Sequence, residues 1–501
     1  MEQLNFVVLI PILIYFAIVF FIGVFASKYA AKAARQKSGE GGFLGEYLTG
    51  GRDLNGIVLA MTLVATYLSA GSFIGGPGVA YRQGFGWVFL SMAQMPTGYF
   101  TLMTLGKRFA IVSRKIGANT INDFLRARYK NQYLVLLTSI SVTLFFFATM
   151  SAQWIGAARL IQGAVGLDYP TALLVFAAIV VVYTTIGGFR GVVLTDLVQG
   201  IVMTLGTILL LFGVVKAGGG VSQTVQNMKA VDIGLITPFG VDDGHMTKAW
   251  VTSFWILVGF AVVGIPNVAV RAMSYKNTKS LNKGIIYGMV ISLTLLVCMH
   301  LVGAFGTTVI SDIEAGDLVV PTLATSLFPS WLAGVVISGP LAAIMSTVAG
   351  QLLISTGAIV NDIIINFFKP NLKDNEKLVS RLSIGASFGI GIVVLIISMR
   401  PPDMMVWLNL YANAGIISTF LWPIILGLYW KGANAPGAFA SIITGVGSYV
   451  IFDKVWQRPL GMHTIVLPLI ISLIAMVAVS KMTKKPDDDI IEAFWGVYKK
   501  V

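Results

Sequence analysis

The chain alternates long apolar runs with short polar, basic ones. A helix that crosses a membrane needs about 20 consecutive apolar residues. By that measure the pattern predicts about thirteen spans, near 6–26, 54–80, 85–110, 133–162, 169–187, 191–216, 249–275, 284–309, 331–365, 379–399, 404–430, 435–453 and 463–481. Two spans are interrupted. The second carries Ala65-Thr66-Tyr67-Leu68-Ser69-Ala70-Gly71-Ser72-Phe73-Ile74-Gly75-Gly76-Pro77-Gly78, which is dense in small, polar and helix-weakening residues. The seventh carries Gly264-Ile265-Pro266-Asn267. Backbone freed from a helix inside a bilayer must line a cavity or pack in protein, because its amides and carbonyls need partners. The interruptions lie five spans apart. Five is odd, so equivalent helices run in opposite directions, and paired interruptions in inverted halves point to a transporter site. On this reading residues 54–216 form one repeat and 249–430 the other. Residues 1–53 and 431–501 are peripheral helices and tail of the same single domain.

Composition sharpens the class. Of 501 residues, 56% are hydrophobic and 11% charged, against about a quarter charged in soluble domains. The fold expected is an all-α polytopic membrane protein. A net charge of +13 suits nucleic acid in principle, but here the basic residues sit in alternate short loops, so the polyelectrolyte expected is absent and the surroundings are lipid. Lys28, Lys32, Arg35, Lys37 and Arg52 follow the first span; Lys107, Arg108, Arg114, Lys115, Arg126, Arg128 and Lys130 follow the third. Lys276, Lys279 and Lys283 follow the seventh, Lys369, Lys373, Lys377 and Arg381 the ninth, and Lys481, Lys484, Lys485, Lys499 and Lys500 occupy the tail. The alternate loops are poorer in base: one holds Asp312, Glu314 and Asp317, and another the solvated pair Asp242-Asp243. Basic loops stay cytoplasmic, which predicts an outside N-terminus and a cytoplasmic C-terminus in the plasma membrane. The single cysteine, Cys298, excludes an internal disulfide and a cysteine-based metal cluster.

Candidate chemistry follows from the interruptions. Carbonyls freed near Ala65 and Leu68 offer oxygen to a hard cation such as sodium; the alternative is that the glycines only allow close helix packing. In the ninth span, Ala343, Ser346 and Thr347 share a face through i,i+3 and i,i+4 spacing. With Ala65 and Leu68 they would make an uncharged five-oxygen cage, or the two hydroxyls only bond back to their own helix. Pro266 and Asn267 would start a half-helix whose free amides attract a carboxylate, or form a packed kink. Asp196 lies inside an apolar span, where acids are costly and usually functional; a cation path and a pairing with Arg190 both fit. Arg271 and Arg52 are expected to anchor cytoplasmic helix ends, and His300 to be a satisfied core histidine. Gln94 suits a substrate contact or an interhelical bond. Asn409, Tyr411, Asn413 and Ser418 give the eleventh span a polar stripe. No nucleotide fingerprint, zinc motif or nucleophile elbow occurs, so an enzyme is not expected.

These residues together resemble the sodium:solute symporter family. The run Gly187-Gly188-Phe189-Arg190 through Thr195-Asp196 and Gln199-Gly200 is similar to one family signature. Gly415 to Pro423, continuing to Leu428-Tyr429-Trp430, is similar to a second. Ala343-Ile344-Met345-Ser346-Thr347 resembles the family's sodium site, and Gly56 to Leu63, Ser72 to Gly78 and Trp407 to Leu410 resemble its pantothenate-transporting branch. The resemblance implies a LeuT-type 5+5 inverted-repeat core, sodium as coupling ion with no other cofactor, and uptake of pantothenate or a similar small acid. It implies sodium ligands at Ala65, Leu68, Ala343, Ser346 and Thr347, with Asp196 on the ion's path. Tyr67 stands where the proline branch has aspartate, and Ser72 where the sugar branch has glutamine, which argues against both substrates. Substrate residues do not carry over between branches; the candidates are Ser72, Gln94, Trp255 and Asn267. The competing classes are a passive channel and a membrane sensor. Concentrative uptake separates the first, and a tail of about twenty residues after Lys481 leaves no room for the second's signalling module.

Overall fold

The computed structural model describes residues 4–36, 52–242, 246–313, 315–402 and 404–496. Lys37, Asp243, Glu314, Lys499 and Lys500, used above in the charge pattern, lie outside the described residues. Among the described residues the chain is helical, with one isolated backbone bridge between Leu54 and Tyr275 and no strand. In order the α-helices are α1 (Phe6–Gln36), α2 (Gly56–Tyr67), α3 (Gly76–Gln83), α4 (Phe85–Ser91), α5 (Thr97–Thr104), α6 (Gly106–Lys115), α7 (Ile121–Tyr129), α8 (Gln132–Val165), α9 (Tyr169–Ala217) and α10 (Val221–Val231). They continue as α11 (Lys248–Trp255), α12 (Pro266–Ala269), α13 (Thr278–Gly306), α14 (Val319–Leu327), α15 (Ser330–Gly357), α16 (Glu376–Ser398), α17 (Met405–Tyr429), α18 (Ala435–Val455), α19 (Val466–Met482) and α20 (Asp488–Trp495).

Among the described residues eight helices are long and apolar enough to cross a membrane, and ten if each of two bent pairs counts as one span. The thirteen expected from sequence are reached only by also dividing α9 and by counting the segmented run α4–α6 and the 17-residue α19. The expected fifth and sixth spans meet at Gly188, where α9 is two helices joined across a kink: its φ of 55° and ψ of −162° are not helical and suit glycine alone. The third span was expected to be one helix; it breaks at a 3₁₀ turn, Met92–Gln94, followed by Pro96.

The first bent pair is narrower than the sequence suggested. Helix α2 is capped by the Asn55 side chain, which accepts from the Ile57 and Val58 amides, and it ends at Leu68 in extended backbone. A π-turn, Gly71–Gly75, leads directly into α3, and the two halves bend by 69°. Only Leu68 and Ser69 are unwound. Pro77 does not extend the break: it follows the π-turn as the second residue of α3, within continuous helical backbone. The second pair, 248–264 and 266–273, bends by 55° at Ile265, the one extended residue, with Pro266 opening α12.

Close backbone contact fixes α3. A methyl group added to Gly303 of α13 would lie 2.1 Å from the Pro77 carbonyl oxygen, and one on Gly78 would lie 2.3 Å from that of Gly316. At the other end of the bundle, α7 is opened by a capping box between Thr120 and Asp123. Helix α20 lies against it. Phe494 meets Phe124 edge-on at 5.6 Å, the Arg128 guanidinium lies 5.2 Å from the Trp495 ring, and that of Arg108 lies 5.0 Å from the same ring. Lys130 and Asp489 form an exposed ion pair beside them.

Candidate functional site

The first break packs against α15, and the two hydroxyls singled out there reach across to it. Ser346 Oγ lies 2.7 Å from the Ala65 carbonyl oxygen and 3.0 Å from that of Ala343. Thr347 Oγ1 lies 2.9 Å from the Leu68 carbonyl oxygen, 3.0 Å from that of Ala343 and 3.5 Å from that of Thr66. The hydroxyls therefore bond both within their helix and across to the break. Two hydroxyl protons face more carbonyl contacts than they can fill. The surplus lone pairs converge on one buried spot, an arrangement suited to a small hard cation. All five expected residues, Ala65, Leu68, Ala343, Ser346 and Thr347, meet there with at most 3% exposure.

The unwound segment has outside support. Gln153 of α8 accepts from the Ala70 amide at 2.7 Å through Oε1 and donates to Asn409 Oδ1 at 3.2 Å through Nε2. Gln153 was not singled out from the sequence; a lone buried amide in a long apolar helix is the signal that would have found it. Tyr67, at the end of α2, reaches the second bent pair. Its hydroxyl lies 3.1 Å from the Val258 carbonyl oxygen, 3.3 Å from Gln94 Oε1, and accepts from Thr97 Oγ1 at 3.2 Å. Val258 belongs to a π-turn, Ile256–Phe260, and Thr97 donates to the same carbonyl at 2.6 Å.

A cavity of about 80 Å³ lies beside the break. It is lined by Tyr67, Ser72, Gln94, Phe254, Asn409 and Asn413, among others. Ser72 and Gln94 are thus brought together, and part of the polar stripe of α17 faces them. Trp255 is not in the lining and is 42% exposed. Successive helical residues turn by about 100°, so Phe254 takes the inward position and its neighbour points away. Asn267 is buried at 3% exposure but lies outside this lining, with its Oδ1 lacking a hydrogen-bond partner. His300 is a core histidine, 1% exposed, with Nδ1 at 2.7 Å from the Leu296 carbonyl oxygen, and it also borders the cavity.

One turn away from the oxygen cluster lies a buried charged network. Arg271 is 1% exposed and does not anchor a helix end in solvent, correcting the expectation. It donates from Nε to Thr62 Oγ1 at 3.1 Å and from Nη2 to Thr66 Oγ1 at 2.7 Å, and stacks on Phe189 at 4.8 Å. Thr62 in turn donates to Asp196 Oδ2 at 2.5 Å, and Arg271 Nη2 is 3.6 Å from the same oxygen. Arg271, rather than Arg190, is the ion-pair partner the structure gives Asp196. Its guanidinium offers the charge and the donors that a buried carboxylate requires. A smaller cavity runs from Arg271 and Phe189 to Asn122 and Asp362 at the α7 end. There Asn122 Nδ2 donates to Asp362 Oδ2 at 2.8 Å and to Ser139 Oγ at 2.9 Å.

Two bent helix pairs around an oxygen-lined break and a polar cavity define a membrane transporter of the LeuT type. A Na+-coupled sialic acid symporter in its substrate-bound outward-open state superposes with a TM-score of 0.80 at 17% identity, covering 96% of this chain and 98% of that one. A nucleobase-cation-symport-1 family transporter in a closed conformation gives 0.57 at 13% identity, over 89% and 97%. The chain belongs to the sodium:solute symporter family, whose profile matches residues 47–445. It is 45% identical to the sodium/pantothenate symporter of Escherichia coli (strain K12), over 93% of this chain and 95% of that protein. It is 43% identical to the sodium/pantothenate symporter of Haemophilus influenzae, over 96% and 98%. An osmoregulated proline transporter of Bacillus subtilis is more distant, at 28% over 96% and 95%.

Proposed function

We propose that the chain takes up pantothenate across the plasma membrane by sodium symport with alternating access. The observation that supports this most is the 45% identity to a sodium/pantothenate symporter across nearly the full length of both chains. The geometry supplies a mechanism. Sodium is held by the carbonyl oxygens of Ala65, Leu68 and Ala343 and the hydroxyls of Ser346 and Thr347. Binding fixes the break at Leu68–Ser69, and the residues flanking it carry Tyr67 and Ser72 into the substrate cavity. Ion and solute therefore order one shared segment, so each favours the other's binding. Ser72 and Gln94, which line the cavity, contact the substrate; Asn267, outside the lining, is not given a contact. The bundle, with repeats 54–216 and 249–430, then rocks. Sodium leaves toward the cytoplasm past Asp196, with the N-terminus outside and the C-terminus inside.

Charge sets the stoichiometry we propose. Pantothenate is a monoanion at neutral pH, so one sodium with one substrate moves no net charge. Electrogenic uptake needs a second cation, and Asp196 is the nearest acidic group to the oxygen cluster. Its pairing with Arg271 already neutralises it, which favours one sodium. Labelled-pantothenate uptake into vesicles, with and without a sodium gradient, tests the function. Uptake that proceeds equally without sodium overturns it. A substrate-induced current in the same vesicles overturns the one-sodium reading alone.

A further inference from the structure

The mechanism above gives no part to His300 of α13, which lines the central cavity. Its Nδ1 lies 2.7 Å from the Leu296 carbonyl oxygen, the one hydrogen bond the ring makes among the described residues. A carbonyl only accepts, so Nδ1 carries the ring proton in that bond. The side chain is 1% exposed, and no aspartate or glutamate stands among the described lining residues, so a second proton would bury an unpaired charge. A neutral imidazole with its proton on Nδ1 has Nε2 as an acceptor.

Nε2 lies against the π-turn that follows the first break. A methyl group added to Gly76 would overlap it. At the other end of the turn, a methyl on Gly71 would lie 2.9 Å from Asn409 Nδ2. Gly76 donates its amide to the Gly71 carbonyl across the π-turn, so the two glycines lie one turn apart. Both glycines, His300 and Asn409 line the cavity. Backbone fixes the polarity of Asn409. The Ala70 amide only donates, so Gln153 turns Oε1 to it and Nε2 to Asn409 Oδ1, which leaves Asn409 Nδ2 as a donor. The turn therefore has an acceptor at one end and a donor at the other, each held by a bond to a residue outside the lining.

We propose that His300 and Asn409 are substrate-binding residues that read a hydroxyl, and that the hydroxyl-bearing end of the solute lies against the π-turn. Nε2 accepts the hydroxyl proton, and Nδ2 donates to a hydroxyl oxygen. An acceptor at Nε2 cannot bond a carboxylate, which only accepts as well. Pantothenate offers the matching group: two hydroxyls on a branched apolar body at one end, and its carboxylate at the other. The inference rests on the proposed uptake of pantothenate and names the end of it that the cavity selects. A site built to bond a hydroxyl rejects the analogue without it, because its own buried groups are then left unpaired.

The test uses the full-length protein in vesicles under a fixed sodium gradient, with labelled pantothenate as solute and two competitors, each lacking one of its hydroxyls. With wild type, at least one competitor is expected to bind about 10-fold more weakly than unlabelled pantothenate. His300→Leu is expected to raise the KM for pantothenate about 10-fold, to leave kcat within about twofold, and to bring that competitor level with pantothenate, as coupled partners do in a double-mutant cycle. His300→Gln puts an amide oxygen near the place of Nε2 and is expected to recover the KM to within about threefold, which a collapsed cavity wall would not do. Asn409→Asp keeps an oxygen for Gln153 and turns the donor into an acceptor, and is expected to raise the KM about 10-fold or more. Equal competition by both analogues with wild type, or a disadvantage that persists in His300→Leu, overturns the proposal while sodium-driven uptake stands. Discrimination that disappears in His300→Leu, with uptake that ignores sodium, overturns the symport reading and leaves the hydroxyl-reading pair standing.

Discussion

The two helix breaks are alike in outline and unlike in what holds them. The first opens at Leu68–Ser69 and is stitched by side chains from elsewhere: Ser346 and Thr347 from α15, and Gln153 from α8. The second opens at Ile265 and is set by its own Pro266, with Gly264 packed against Leu421. A methyl on Gly264 would meet the Leu421 backbone at 3.0 Å. Inverted topology repeats the bend, but it does not repeat the chemistry. The first break has its backbone groups answered by distant polar side chains, and it is the one to which the proposed mechanism assigns the ion; the second is set by its own proline.

The comparison is tested most severely by Arg271, which belongs to the second bent pair but bonds Thr62 and Thr66 of the first. Arg271→Leu strands the buried Asp196, which is expected to cost about 3–5 kcal/mol and to remove most folded protein, read by thermal unfolding in detergent. The double variant with Asp196→Leu should recover much of that stability; no recovery would break the pairing. Next, Thr347→Val removes one oxygen from the cluster. A charged hydrogen-bond contact is worth about 1.5–3 kcal/mol, so half-saturating sodium should rise roughly 10- to 100-fold, and the KM for pantothenate should rise with it. Intact sodium dependence in this variant would rule out the α15 site. Gln153→Leu leaves the Ala70 amide without its partner, a penalty of about 1–3 kcal/mol. Sodium and substrate affinities should weaken together, by less than in Thr347→Val. Pro266→Ala should have the smallest effect, within about threefold on either affinity, because the α12 turn keeps its amides and its packing. A larger effect from Pro266 than from Gln153 would reverse the ranking of the two breaks.

The helices and both bends were legible because apolar runs and prolines are local signals. The shared face of Ala343, Ser346 and Thr347 was legible from helical spacing, while their pairing with Ala65 and Leu68 as an ion site came from the resemblance. The residues that were not legible act across long separations. Arg271 meets Thr62 across 209 positions and Gln153 meets Ala70 across 83, and no window along the chain contains both partners. Trp255 was misplaced by one residue's rotation: Phe254, next to it, is the inward aromatic. Pro77 was read as part of the break when it sits beyond the π-turn, inside the half-helix. The segmented third span was hidden because Met92 to Gln94 changes helix type with little change in apolar character.

Helix α20 gives the molecule an order of assembly. The chain is made from the N-terminus, and residues 488–495 emerge after every helix of the bundle. Helix α7, which places Asn122 against Asp362, receives its aromatic and ionic partners from α20 only at that late moment. Until then the helices of the bundle are made but this end lacks that brace. Synthesis thereby separates making the bundle from bracing this end of it.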